Sequence, residues 1–207
     1  MHRLTPAIGA IVLCAPAAPI ALAQDAVFDF EDQNLQTLPD AVSFVNNGIT
    51  IEFATEPTGE LSIGQTSAFP PSFGTRGLFI GQDDFPATPA ATALNFGGGA
   101  QGVRFSWGDV GGDTDNITFT AFTGSNGTGS ILQTDSFTYT GAFPSQVPVY
   151  ELIFLAPTNQ LGSIVITGTG FGGGPSIYVD NIEVFIPTPG VVAVLGLGGL
   201  LATRRTR

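Results

Sequence analysis

Hydrophobic and polar residues alternate one by one in many short segments between residues 27 and 185. Strict alternation marks half-buried β-strands, and it occurs at residues 49–53, 103–107, 117–121 and 137–139. Further apolar runs predict strands at 27–30, 78–80, 149–155, 164–167 and 177–185. Gly, Pro, Asn and Asp cluster between these segments, and no interior segment has a 3.6-residue apolar period. The pattern predicts an all-β protein with a single jelly-roll or β-sandwich domain.

The N-terminal end departs from this alternation. A short basic start is followed by an apolar, Ala-rich run at residues 8–22, and Ala21 and Ala23 form a small-x-small cleavage pattern. These features predict a signal peptide over residues 1–23, removed by signal peptidase. An uncleaved membrane anchor is the alternative, although two prolines interrupt the run.

The C-terminal end, residues 187–207, has three parts. Pro187, Thr188 and Pro189 come first, and the apolar, Gly-rich run 191–202 follows them. The chain then closes on an arginine cluster made of Arg204, Arg205 and Arg207. Twelve residues of helix reach about 18 Å, whereas a bilayer core is about 30 Å thick. The run is therefore short for a permanent span, and the arginines are expected on the cytoplasmic side.

This tail resembles the PEP-CTERM sorting signal of exported bacterial proteins. Pro187 and Pro189 fall on the two prolines of that motif, while Thr188 stands where the motif has Glu. The resemblance implies export and recognition by an exosortase-type membrane protease, with the chain held at the membrane only through its terminal segments. An ordinary C-terminal anchor is the alternative.

The intervening body, residues 24–186, is strongly acidic. It holds all 17 acidic residues and no lysine, and its two cations are Arg76 and Arg104. The formal charge of the body is therefore −15. Such a charge disfavours nucleic acid and anionic lipid as partners. The chain's one His and one Cys lie in the predicted signal peptide. The body therefore lacks the side chains of Ser-His-Asp, Cys-His and Ser-Lys systems and of His/Cys zinc sites, and we predict no catalytic residues.

Two acidic segments near the ends of the body predict a structural Ca²⁺ site. Period two places Asp180 on an apolar strand face with Ile182, unless a bulge intervenes. A buried carboxylate needs a partner, and Ca²⁺ takes oxygen ligands. First and last strands of sandwiches are commonly neighbours, so Glu31 or Asp32 is expected to reach Asp180. The alternative is a metal-free surface bulge at Asp180 and Asn181.

These segments also resemble the opening and closing strands of jelly-roll carbohydrate-binding modules and related surface proteins. The resemblance implies a structural calcium at Glu31, Asp32 and Asp180. Two functions remain open, together with a third that is less favoured. The first is a non-enzymatic cell-surface or matrix component in contact with exopolysaccharide, and the second is a carbohydrate-binding module. The third is a carboxylate-based glycan hydrolase.

Lesser candidates lie in the middle of the chain. Three acids of a Gly-rich loop are candidates for a second cation, although a solvated turn is favoured; they are Asp109, Asp113 and Asp115. Trp107 is expected in the core, with stacking on a sugar as the alternative. The Gly-rich stretch 95–99 is expected to be a loop, and residues 56–89 are expected to be loop-rich.

Overall fold

The structure is a computed structural model, and it describes residues 24–56, 59–82, 91–109, 114–140, 149–156, 160–169 and 177–186. The predicted signal peptide and sorting tail lie outside these residues. Within the described ranges, no helix is long and apolar enough to cross a membrane. The predicted apolar helix at 191–202 falls elsewhere in the chain.

The described chain is almost entirely β-strand, which confirms the all-β prediction. Its elements in chain order are β1 Gln24–Phe28, β2 Gln36–Leu38, β3 Ala41–Asn46, β4 Ile49–Thr55, β5 Gly59–Gln65, a 3₁₀ helix Pro71–Phe73, β6 Arg76–Gln82, β7 Thr92–Ala100, β8 Gly102–Asp109, β9 Thr114–Phe122, β10 Ile131–Thr140, β11 Tyr150–Leu155, β12 Leu161–Thr169 and β13 Ile177–Phe185.

The strands form a sandwich of two antiparallel sheets. Sheet A has the order β11-β8-β13-β6-β5-β2, with β1 also paired to β13. Sheet B has the order β10-β9-β12-β7-β4-β3. Alternate residues of both sheets point inwards, as in β9, where Ile117, Phe119 and Ala121 are all buried. This alternation is the period-two pattern seen in the sequence.

Aromatic rings join the two sheets at the centre of the sandwich. Trp107 of sheet A is fully buried and lies 5.2 Å from Phe119 and 5.2 Å from Phe137 of sheet B, measured between ring centroids. Tyr150 stacks on Trp107 from the edge strand at 4.9 Å. Trp107 therefore belongs to the core, as expected, and it is not a surface platform for a sugar.

Several strands escaped the sequence prediction. The stretch 95–99, expected as a loop, lies inside β7, so that prediction is wrong. β12 pairs Leu161 with Ala100 and Ser163 with Asn95, so residues 96–99 bulge out of this ladder. The region 56–89 was expected to be loop-rich, yet it contains β5 as well as β6. β2 and β3 were also missed, because both lie near an edge and alternate weakly.

Candidate cation site

β13, the last strand along the chain, changes its neighbour half-way along one of its edges. β6 pairs with the first half of β13, with Leu78 opposite Val179, whereas β1 pairs with the second half, with Phe28 opposite Ile182. β1 and β6 therefore meet end to end beside Asp180 and Asn181. The ladder between β13 and β8 is also irregular between Asp180 and Glu183, and Asn181 has φ 50°. A β-bulge thus faces a gap between two strand ends.

The bulge decides which way Asp180 points. Asp180 is paired with Ser106, and Ser106 lies between the inward-facing Phe105 and Trp107. Directly paired residues share a face, so Asp180 lies on the outer face of sheet A. Ile182, beyond the bulge, lies in the core. The expected common face of Asp180 and Ile182 is therefore wrong, because the extra residue shifts the alternation by one position.

Asp180 is nevertheless buried, with an exposed fraction of 1%. The long hairpin loop between β5 and β6, residues 66–75, folds back over the outer face of sheet A; we call it the strap. Phe69 and Phe73 of the strap stack on each other at 4.5 Å, and Phe69 packs edge-on against Tyr178 at 5.6 Å. This small second core covers Asp180, so the bulge that the alternative predicted is present, but its carboxylate is buried and does not lie at the open surface.

The carboxylate of Asp180 is only half satisfied. Its Oδ2 accepts a hydrogen bond of 3.2 Å from the Asn181 side chain, whose amide nitrogen also donates to the Ser72 carbonyl of the strap at 3.2 Å. Its Oδ1 is buried and has no hydrogen-bond partner. Burial raises the pKa of Asp180 to about 8, and the nearby charges of Asp29 and Glu31 add to the rise, whereas the backbone N–H of Asn181 opposes it.

Glu31 approaches the same place from the end of β1. Phe30, buried with φ 55°, turns the chain there. The Glu31 carboxylate accepts from the Thr75 amide at 2.6 Å, the Thr75 hydroxyl at 2.6 Å and the Arg76 amide at 3.1 Å. The Thr75 hydroxyl is the largest cause that lowers the pKa of Glu31, assisted by the two amides and the Arg76 charge. Glu31 is therefore held ionised while it bridges the gap between β1 and β6.

Gly74 separates the two carboxylates. A Cβ at this position would collide with Glu31 Oε1 and would lie 3.5 Å from Asp180 Oδ2. Gly74 has φ 81° and ψ −166°, a conformation that is essentially restricted to glycine. The absent side chain thus lets the ionised carboxylate of Glu31 approach the Gly74 backbone closely, next to the buried, half-paired carboxylate of Asp180.

The third predicted ligand, Asp32, lies elsewhere. It accepts a hydrogen bond of 2.8 Å from the Gln33 side chain, and together with Asp29 it lines a small cavity of about 120 Å³ beside β3. Asp29, rather than Asp32, acts on the pKa of Asp180. Asp29, Ser72 and Gly74 were not among the predicted ligands, although Asp29 is only two residues from Glu31 in the sequence.

No group of three or more His, Cys, Asp or Glu side chains in the described residues is placed to hold a metal ion. Any cation at Asp180 and Glu31 therefore takes its remaining oxygens from backbone carbonyls and water. Ca²⁺ suits such a mixed shell, because it accepts six to eight oxygens in flexible geometry. The donor set contains no nitrogen or sulfur, which disfavours zinc and copper.

The second acidic cluster stands partly outside the described residues. Asp109 and Asp115 are buried at the ends of β8 and β9, and Asp113 falls in the undescribed stretch between them. Both buried carboxylates lie near Tyr139, which is paired with Asp115 on the neighbouring strand. Burial, the charge of Asp109 and Tyr150 raise the pKa of Tyr139. The favoured solvated turn is wrong for Asp109 and Asp115, since both belong to strands and are buried.

Comparison with known proteins gives no family assignment. No protein-family description matches the chain, and no curated protein matches it. Among solved structures, it is similar to an arabinose-bound GH51 α-L-arabinofuranosidase, with 14% identity over 80% of this chain, 27% of that chain and a TM-score of 0.49. It is also similar to the CBM22-1 xylan-binding domain of Paenibacillus barcinonensis Xyn10C, with 12% identity, coverage of 83% and 99%, and a TM-score of 0.47. A further CBM22 xylan-binding domain has 15% identity and a TM-score of 0.44 over 81% and 97%.

Proposed function

We propose that this chain is an exported, non-enzymatic component of the cell envelope or extracellular matrix whose β-sandwich is stabilised by Ca²⁺. The observation that carries the proposal is the Oδ1 atom of Asp180, which is buried and unpartnered beside the ionised Glu31. A buried polar atom without a partner costs about 1–3 kcal/mol. A bound cation removes that cost and balances both carboxylates. Calcium also suits an exported protein, because it is plentiful outside cells.

The arrangement of the acids supports a non-enzymatic role. A glycosidase of the two-carboxylate type needs both groups to flank a substrate, one as an acid and one as a base or nucleophile. Here Asp180 lies beneath the strap, and the oxygens of Glu31 already accept three hydrogen bonds. Asp180 is therefore not presented to a sugar bond, and the carboxylate of Glu31 is engaged in fastening the strap.

Calcium-dependent stability tests the cation site. Calcium at a hundredfold excess over its Kd adds about 2.7 kcal/mol to the free energy of unfolding. Removal of calcium with EGTA is therefore expected to lower the Tm of the full-length chain by several degrees. Asp180→Asn should remove most of this response. Asp135→Asn, on edge strand β10 of sheet B, is the matched control and should keep it. A response reproduced by sodium chloride at equal ionic strength, or retained by Asp180→Asn, would contradict the proposal.

Proteolytic processing of the two ends tests the proposed localisation, which is supported by the signal-peptide and PEP-CTERM-like patterns. Native protein from the envelope or medium should begin near Gln24 and lack the arginine cluster after sorting. Intact-mass measurement distinguishes this species from the alternatives. A steady-state species that retains Arg204, Arg205 and Arg207 would favour a permanent membrane anchor instead.

A second candidate function is carbohydrate binding. The observation that favours it is a cleft of about 440 Å³ on the outer side of the strap, which contains both apolar side chains and polar groups. This volume lies within the range of small-molecule sites. Exopolysaccharide would then be a ligand as well as the surroundings of the protein.

A further inference from the structure

The cleft beside the strap combines an apolar wall with a few polar groups. Leu35, Phe69 and Pro71 supply the apolar wall, and Leu35 is 49% exposed. Ser67 and Arg76 supply a hydroxyl and a guanidinium group, whereas Thr66 is buried and donates its hydroxyl to the Gly74 carbonyl at 3.0 Å. A sugar ring has the same two-sided character, with apolar C–H faces and hydroxyl groups at its rim. The lining therefore matches a saccharide better than a purely apolar ligand.

Arg76 is held in place at this wall. Its Nη1 donates to the carbonyl oxygens of Glu31 and Gln33, at 3.2 Å for Glu31. A guanidinium fixed in this way presents its plane without a large loss of side-chain entropy. Arg76 is one of only two cations in the acidic body. Because the surrounding surface repels anionic chains, the charge balance favours a neutral saccharide over an acidic one.

The cleft and the candidate cation site are built from the same two segments. The strap carries Gly74 at the cation site and Phe69 at the cleft. The segment after β1 carries Glu31 at the cation site and Leu35 at the cleft. Hydrogen bonds from Thr75 to Glu31 tie the two segments together. A cation that fixes the carboxylates therefore also fixes both walls of the cleft.

We propose that the cleft binds a residue of a neutral polysaccharide and that its affinity depends on calcium at Asp180 and Glu31. This inference rests on the proposed functions and names both the ligand class and its regulation. Coupling between two sites is reciprocal, so the polysaccharide in turn tightens calcium binding. The protein would then hold a neutral glycan only where calcium is plentiful, that is, after export.

Affinity electrophoresis of the full-length chain tests this proposal. Native gels contain glucomannan, arabinoxylan or dextran as neutral probes and hyaluronate as the anionic probe, each run with calcium chloride or with EGTA. At least one neutral probe should retard the protein with calcium. EGTA should weaken that binding by about fivefold or more, the lower range of measured couplings.

Two exposed leucines provide a matched pair of variants. Leu35→Ala removes the exposed part of the cleft wall and should weaken binding about tenfold. Leu155→Ala removes a leucine that is 57% exposed on the edge strand β11, away from the cleft, and should leave binding unchanged. Equal effects from the two variants would overturn the proposed site. Both positions are exposed, so both variants are expected to fold.

The outcomes separate the cleft from the cation site. Retardation by no neutral probe, or by hyaluronate alone, overturns the saccharide proposal even if calcium raises the Tm. Retardation that is equal with calcium and with EGTA overturns the coupling. If calcium also leaves the Tm of the wild-type chain unchanged, the cation site itself fails.

Discussion

The two sheets treat their outer faces differently. On sheet B, β9 runs between β10 and β12. Its register with β12 is continuous, its register with β10 is continuous from Gln133 to Thr140, and its outward side chains bond across the strands. Thr118 and Ser136 share a hydrogen bond of 3.0 Å, and Thr138 donates to Asn116 at 2.8 Å. On sheet A, β13 exchanges one neighbour for another and carries an unpaired carboxylate oxygen. The unpaired oxygen of Asp180 therefore lies where a ladder is interrupted.

The strap explains why this interruption is tolerated. A gap between strand ends exposes backbone N–H groups that need acceptors. Glu31 accepts from two of them, the amides of Thr75 and Arg76, and so replaces the missing strand neighbour. As a consequence, a second carboxylate, that of Asp180, is buried beneath the same strap. A regular ladder such as β9–β12 needs no such side chain.

The largest expected effect comes from filling the space between the carboxylates. Gly74→Ala combines a glycine-only backbone conformation with a collision against Glu31 Oε1. We expect a loss of about 3–4 kcal/mol in the free energy of unfolding, since such strain alone costs up to about 3 kcal/mol. The calcium response should be lost as well. Chemical denaturation with and without EGTA measures both.

Gly48 of sheet B is the matched control for this change. It also has a positive φ, of 75°, but a Cβ there would meet nothing within 4 Å. Gly48→Ala should therefore cost about 1–2 kcal/mol from backbone conformation alone and should keep the full calcium response. A calcium response that survives in Gly74→Ala would show that Gly74 does not border the cation.

The next effect is a pH dependence that originates at Asp180 of sheet A. Without calcium, the pKa of Asp180 is about 8 in the folded chain, against an ordinary value of 3.8. The folded state holds a proton that the unfolded state has released, so this stability is complete below about pH 4 and is lost as the pH rises through about 8. Between pH 5 and 7 the free energy of unfolding should fall by up to about 1.4 kcal/mol per pH unit.

Three comparisons check this slope. The lowered pKa of Glu31 acts in the opposite direction, but its window lies below its ordinary value of 4.5 and does not overlap. Asp180→Asn should flatten the slope between pH 5 and 7, because an amide does not titrate there. Saturating calcium should flatten it too, since the bound cation replaces the proton. Urea denaturation at several pH values provides the measurement, and a slope unchanged in Asp180→Asn would rule out the assignment.

The sequence predicts the regular parts of this molecule well. Period-two alternation places β4, β8 and β9 because the inward residues at the centre of each strand are buried. The same rule predicts Trp107 in the core. Edge strands such as β3 carry a weaker signal, since one side of the strand has no neighbour and its inward residues are only half buried.

The site is predicted less completely than the fold. The sequence singles out Glu31 and Asp180, whose carboxylates both lie next to Gly74 in the structure. Strict alternation assigns Asp180 to the wrong face, because a bulge shifts the alternation by one position. Asn181 is the only residue there that signals the bulge in the sequence. The sequence does not predict that Gly74 and Ser72 belong to the site, because the strap contacts the bulge across a large separation in the chain. Local patterns carry no information on such a contact.

The smallest effect belongs to the regular ladder of sheet B. Thr118→Val and Ser136→Ala each remove one side of an exposed hydroxyl pair. Cross-strand pairs of this kind contribute about 0.2–1 kcal/mol, so a double-mutant cycle should give a coupling energy within that range. The calcium response and the slope between pH 5 and 7 should both remain as in the wild-type chain, because sheet B shares no ligand with the strap. A coupling above about 2 kcal/mol, or a changed calcium response, would mean that the two outer faces are not independent.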